Sequence, residues 1–343
     1  MPIDNVFEIK NLSTSFFTRD GEVQAVRDVS FSLRRGETLG IVGESGSGKS
    51  VTFLSALGLL AASGKVKGGQ ALFNGRDLLA SSAKELRKVR GKDIAMVFQD
   101  PMSSLNPLKT IGKQVAEALE VHTGLGRAEI RRRAIRMLEA VRIPEAAKRY
   151  DSFPHEFSGG MRQRVVIAMA LICGPSLVIA DEPTTALDVT IQDQILRLLR
   201  ELKRESDSSI VFISHDLAVI ASMCERVVVM YGGMIMEEAL IGELFESPAH
   251  PYTMGLLRSI PVIDQDKGAL LEPIPGSPPD MLAPPPGCPF VARCVHARAV
   301  CAVSPPPYRE VSKTRRSRCW LWADDAPVEG NVFKERSAAY ARA

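Results

Sequence analysis

The 343-residue chain has few aromatic residues, 6%, and a net charge of only +3 at pH 7. So small an imbalance gives no support for a nucleic-acid-binding surface. The one concentrated basic run is Lys313–Arg318, near the end of the sequence; we expect a solvated tail there rather than an anion-binding patch. Long hydrophobic runs are also lacking. The longest apolar stretches, such as Val165–Cys173, fall well short of the ~20 residues of a membrane helix. The opening MPIDNVFEIK shows no basic segment followed by an apolar one, so no secretory signal is expected. A cytosolic chain is expected, with any membrane span supplied by partners. Cysteine is scarce at six residues, which does not make a disulfide framework. Cys173 and Cys224 stand alone in apolar surroundings and are expected in the core. The other four fall in the last sixty or so residues.

What is present divides into zones. Residues 6 to 98 read as strand-rich, with short apolar or alternating runs at Phe7–Leu12, Val23–Leu33, Thr38–Val42 and Ile94–Phe98. Between 100 and 158 the pattern turns helical. Ile130, Ala134, Leu138 and Val141 recur at helical spacing with arginines between them. Alternating helix and strand resume to about 240, where Leu177–Asp181 and Ile210–Ser214 are apolar runs of the kind buried in a parallel sheet. Glu272–Pro289 is rich in proline, which excludes a packed helix or central strand and predicts an extended linker. The order predicts an α/β P-loop NTPase fold: an N-terminal antiparallel β subdomain, a helical insertion over about 100–159 within a 1–249 ATPase domain, and a C-terminal extension over 250–343.

Gly43–Ser50, GESGSGKS, follows the apolar run TLGIV and precedes a helical pattern. This is the strand–loop–helix context of G-x-x-x-x-G-K-[ST]. Gly43, Gly46 and Gly48 let the backbone wrap closely, while Glu44, Ser45 and Ser47 complete a loop whose N–H groups face phosphate oxygens at a helix N-terminus. Lys49 is expected on the β- and γ-phosphates and Ser50 on Mg²⁺. Asp181, ending an apolar strand, is suited to hold Mg²⁺ through water, and Glu182 to orient and deprotonate an attacking water.

Many unrelated kinases and GTPases share those two motifs. Phe157-Ser158-Gly159-Gly160-Met161-Arg162-Gln163 resembles the signature of ABC ATPases, with Phe for the usual first Leu and Met for the fifth-place Gln. Ser158, Gly159 and Gly160 open a helix, giving a second anion-binding N-terminus. Gln99 is similar to that family's Q-loop glutamine, Ala186-Leu187-Asp188 to its D-loop and His215 to its switch histidine. Phe16, or with less support Phe17, stands where the family stacks an aromatic on adenine. The resemblance covers residues 6 to about 240. It implies a head-to-tail dimer holding two ATP molecules between P-loop and signature, with hydrolysis driving membrane partners.

DPMSSLNPL after Gln99, the segment His250-Pro251-Tyr252-Thr253 with the following LLRSIP, and Cys288, Cys294, Cys301 and Cys319 spaced C-x5-C-x6-C-x17-C resemble the oligopeptide and dipeptide branch of ABC importers, which includes some nickel transporters. In that branch such a tail can ligate a [4Fe–4S] cluster. Zinc or another thiolate-bound metal, and unligated cysteines, stay open, although the spacing lacks the CxxC pairs of a zinc ribbon. The resemblance further implies a second, non-identical ATPase chain, two transmembrane permeases, an extracytoplasmic binding protein, and a peripheral place on the cytoplasmic face of the inner membrane. Nickel or another small solute is the alternative cargo. A soluble ABC ATPase, or a redox-sensing regulatory one, is the alternative class.

Overall fold

The computed structural model describes residues 4–185, 187–206, 208–260 and 273–323. The chain divides into two compact units. One takes the described parts of Met1–Phe7, Leu33–Thr38 and Phe73–Ile213, the other those of Glu8–Ser32, Leu39–Leu72 and Ser214–Ala343.

The strands, in chain order, are β1 (Asn5–Phe17), β2 (Glu22–Arg34), β3 (Thr38–Val42), β4 (Gly64–Phe73), β5 (Arg76–Asp77), β6 (Ile94–Val97), β7 (Leu177–Asp181), β8 (Ser209–Ser214), β9 (Arg226–Tyr231), β10 (Met234–Leu240), β11 (Arg309–Ser312) and β12 (Arg315–Ser317). In the first unit β7 runs parallel between β6 and β8, with Ile94 opposite Leu177 and Asp181 opposite Ile213. All five residues of β7 are buried, as the near-continuous apolar pattern of a strand covered on both faces predicts. The helix Arg127–Ala140 buries Ile130, Ala134 and Leu138, and Val141 beside it is equally inaccessible. The arginines of that helix lie outward; Arg132 and Arg133 both pair with Glu129. Gly112 opens space for the Tyr150 ring, whose carbons would stand 2.2–2.4 Å from a Cβ there.

In the second unit the β1–β2 hairpin closes with Thr18 N–H donating to the Gly21 carbonyl at 2.9 Å, and β1 lies between β2 and β4. A further sheet pairs β3 parallel with β9, Leu39 opposite Arg226, and β9 antiparallel with β10. β12 pairs antiparallel with β10, Glu237 opposite Ser317, and β11 with β12. The basic run expected as a solvated tail is thus built into a sheet. Pairing with β10 leaves Ser317 fully buried and Arg318 8% exposed; tertiary hydrogen bonding overrides a locally polar sequence. Residues 273–289, the described part of the proline-rich stretch, hold no helix or strand. They are nonetheless docked, with Gln24 N–H donating to the Met281 carbonyl at 2.9 Å. Among the described residues no helix is long and apolar enough to cross a membrane.

Candidate functional site

β3 delivers the chain into the loop Gly43–Gly48, and the helix Lys49–Ala56 leaves it. The glycines are there for two physical reasons. Gly43 has φ 156°, and a Cβ would sit 2.1 Å from the Met230 carbonyl oxygen; Gly48 has φ 95°, and a Cβ would sit 2.4 Å from that of Ala25. Backbone on one side and left-handed dihedrals on the other leave no room for another residue. Gly48 also serves as N-cap without a side-chain cap, at the helix N-terminus where an anion is favoured. Lys49 is 6% exposed. Its ammonium donates to the Gly43 and Glu44 carbonyls at 2.8 and 2.9 Å. Ser47 is buried, Ser50 half-buried, and Ser45 and Gly46 face outward.

Phe16 is half-buried, its ring 2.9 Å from where a Cβ of Gly64 would stand, whereas Phe17 is 45% exposed beneath the Lys67 ammonium. His215 is exposed between the end of β8 and the helix Leu217–Met223. That helix is capped by Asp216, whose carboxylate accepts from the Ala218 and Val219 N–H groups.

The first unit gathers the acids. Asp181 ends β7 and is 7% exposed. Glu182 turns out of the strand in the left-handed region, φ 46°, a conformation of about 1–2 kcal/mol cost for such a residue. Its N–H donates to the Ile213 carbonyl at 2.9 Å. One carboxylate oxygen, Oε2, accepts from Gln99 Nε2 at 3.0 Å and from Thr185 Oγ1 at 2.8 Å. Gln99 and Glu182, 83 residues apart in sequence, therefore stand together. Thr185 was not anticipated; a hydroxyl three residues beyond the acid is the local-turn signal that could have found it.

Ser158 caps the helix Gly159–Leu171, its Oγ accepting from the Met161 N–H at 3.4 Å. Nothing would meet a Cβ at Gly159, while one at Gly160 would stand 2.8 Å from Ile191 Cγ2. The cradle is open on one side and packed on the other. Phe157, the departure at the first signature position, is 2% exposed, so a larger apolar side chain there is absorbed by the core. Gln163 is 1% exposed and does not stand in at the open face for the missing fifth-position glutamine. Asp188 caps the helix Val189–Ser206, Oδ1 accepting from Ile191 N–H at 2.9 Å; Ala186 lies outside the described residues.

Cys288, Cys294, Cys301 and Cys319 all line one pocket with His250, Phe290 and Trp320. All four are free thiols. Burial pushes the Cys288 thiol up to about 12, with Cys301 and Cys294 adding to the effect. Burial raises Cys294 and, more strongly, Cys319. Such thiols resist ionisation unless a cation offsets the charge. The donor set therefore suits a soft metal group. Among the described residues, however, no three His, Cys, Asp or Glu side chains converge as a single metal ion requires. The pocket shared by the four cysteines is the observation that bears on a thiolate-held group here.

A glycine loop of this geometry before a helix, together with an acid-ended parallel strand, defines a P-loop NTPase. Residues 26–185 match the family model described as ABC transporter, and residues 236–301 the one described as oligopeptide/dipeptide transporter, C-terminal region. The chain is 53% identical over 317 residues to the oligopeptide transport ATP-binding protein of Escherichia coli (strain K12), covering 92% of this chain and 93% of that one. It is 52% identical over 334 residues to the dipeptide transport ATP-binding protein of Bacillus subtilis (strain 168), covering 96% and 99%. A solved dimeric ATP-binding cassette in a post-hydrolysis state, bound to ADP and Pi, matches with a TM-score of 0.62 at 29% identity, covering 68% of this chain and 98% of that chain. The chain belongs to the ATP-binding subunits of ABC transporters and is an ATPase that takes ATP with Mg²⁺.

Proposed function

We propose that this ATPase is the motor subunit of an importer for di- and oligopeptides, seated peripherally on the cytoplasmic face of the cell membrane. The observation that carries this is identity of 53% and 52%, over 92% and 96% of the chain, with proteins named for oligopeptide and dipeptide transport. The partners are two transmembrane permeases, an extracytoplasmic binding protein and a second ATPase chain, in a heterodimer. No nucleic acid is involved. In this reading residues 1–249 form the ATPase domain, with the helical part near 100–159, and 250–343 the extension.

The loop Gly43–Gly48 binds the phosphates through its N–H groups, and Lys49 moves from the loop carbonyls to the β- and γ-phosphates. Ser50, Gln99 and Asp181 hold Mg²⁺. Glu182, held by Gln99 and Thr185, takes the proton of the attacking water. His215 bonds the γ-phosphate and Phe16 stacks on adenine. Ser158, Gly159, Gly160 and Asp188 serve the nucleotide of the partner chain, which the open face at Gly159 supports. Cys288, Cys294, Cys301 and Cys319 hold a [4Fe–4S] cluster, supported by their shared pocket. Its role is structural, because ATP hydrolysis transfers no electron.

The experiment is uptake of labelled di- and oligopeptides, with nickel in parallel, in cells carrying wild type or Lys49→Ala. Loss of peptide uptake alone in the variant supports the proposal. Loss of nickel uptake with peptide uptake intact moves the cargo to nickel. No change in either removes the peptide assignment.

A further inference from the structure

The C-terminal extension reaches the nucleotide loop through one side chain. Arg293 lies in the short turn Val291–Arg293, between Cys288 and Cys294, and its side chain is 7% exposed. All three guanidinium nitrogens are engaged. Nε donates to the Pro275 carbonyl at 2.9 Å and Nη2 to the Ile274 carbonyl at 3.0 Å. Nη1 donates to Glu44 Oε2 at 2.8 Å and Oε1 at 3.0 Å, and to the Tyr231 hydroxyl at 3.0 Å. The planar, permanently charged fork is bound to docked linker on one edge and to the phosphate loop on the other.

Glu44 is the second residue of that loop, and every polar group it carries is spoken for. Arg293 holds the carboxylate. The N–H donates to the Tyr252 hydroxyl at 2.9 Å; Tyr252 is itself fully buried at the start of the helix Pro251–Arg258, with its ring 4.5 Å from that of Tyr231. The carbonyl accepts from the Lys49 ammonium at 2.9 Å. The orientation of the Glu44 peptide therefore sets where the Lys49 ammonium is held and how the N–H groups that follow are aimed. A loop fixed beforehand binds its ligand without ordering itself first.

We propose that Arg293 is a positioning residue of the ATP site, acting through Glu44 to hold the phosphate loop and Lys49 in the conformation that receives ATP. The C-terminal extension thereby becomes part of the nucleotide site of its own chain. This rests on the loop Gly43–Ser50 being where ATP binds.

The test measures affinity of the full chain for a fluorescent ATP analogue with Mg²⁺, well below the unfolding temperature. The variants are Arg293→Met, Arg293→Lys, Glu44→Gln and the Arg293→Met/Glu44→Gln double. Arg293→Met is expected to weaken binding about tenfold, Arg293→Lys to recover part of the loss, and the double variant to be no weaker than the worse single one. A purely structural Arg293 would lower the unfolding temperature and leave the affinity of the folded chain unchanged; that result overturns the proposal, as do additive losses in the double variant. Lys49→Ala is the control. If it retains binding, the loop assignment itself fails; if it loses binding while Arg293→Met does not, only the positioning role fails. Should Arg293→Met not yield folded chain, Arg293→Lys and Glu44→Gln with their double give the same coupling.

Discussion

Replacing Glu182 by glutamine separates the chemistry of this site from its architecture. Both contacts to the carboxylate fall on one oxygen, Oε2, from Gln99 at 3.0 Å and Thr185 at 2.8 Å. A glutamine carbonyl has two lone pairs and can accept both. The backbone bond from Glu182 N–H to Ile213 is untouched, and the left-handed φ of 46° strains Glu and Gln alike. Folding stability is therefore expected to stay within about 0.5 kcal/mol of wild type. The amide nitrogen that replaces the second oxygen cannot take a proton. General-base assistance is worth roughly 100- to 10,000-fold, so ATPase turnover is expected to fall by about that factor. ATP affinity should be unchanged, and the ATP-bound dimer should accumulate. Steady-state phosphate release, with size-exclusion chromatography in ATP, reads both effects. Turnover within a few-fold of wild type would remove Glu182 from the base role. A large drop in unfolding temperature would show instead that Gln99 and Thr185 need the charge.

Ser158→Arg removes a helix cap, worth about 1 kcal/mol, from an exposed position. It also fills the cradle proposed for the partner's phosphate. ATPase activity should fall roughly 100-fold while the isolated chain still binds ATP; lost binding in the isolated chain would contradict that placement. Chain purified without oxygen should carry iron and sulfide that disappear in Cys294→Ser, and zinc or no metal would end the cluster proposal. Glu237 is fully buried, and burial lifts its carboxyl from the usual 4.5 to about 7, against the pull of Thr253, the Ala249 N–H and Arg315. The native state thus keeps this proton while the unfolded state loses it, so this group's contribution to stability falls as pH rises from about 4.5 to about 7 and is constant above. Neighbouring His250, held down to about 3 by burial, has the opposite slope between about 3 and 6.5. The stability gap of Glu237→Gln over wild type should therefore grow across the 4.5–7 window and level off near 3 kcal/mol in order of magnitude. Denaturant unfolding at several pH values measures it, and a pH-independent gap would show that Glu237 does not carry the proton.

Local signals carried much of the fold. The apolar runs at Thr38–Val42 and Leu177–Asp181 fold as β3 and β7 with the same limits, because a strand covered on both faces writes its burial directly into sequence. Ile130, Ala134, Leu138 and Val141 lie in the core for the same reason at helical period. The loop Gly43–Ser50 was legible because left-handed dihedrals and close backbone approach leave a choice of one residue type. Such constraints are local, and a short window records them.

Tertiary structure alone decided the rest. Nothing in the sequence near Arg315–Ser317 announces a strand; β12 exists because β10 offers it hydrogen bonds. The first signature position takes Phe157, which the fold buries. Gln99 reaches across 83 residues of chain to the Glu182 oxygen that Thr185 also bonds. Tyr252 and Arg293 meet Glu44 across 208 and 249 residues. Hydrogen bonds and ion pairs act over a few ångströms of space and leave no periodicity in the chain that brings them together, so the groups that hold the phosphate loop in place become visible only when the chain is folded.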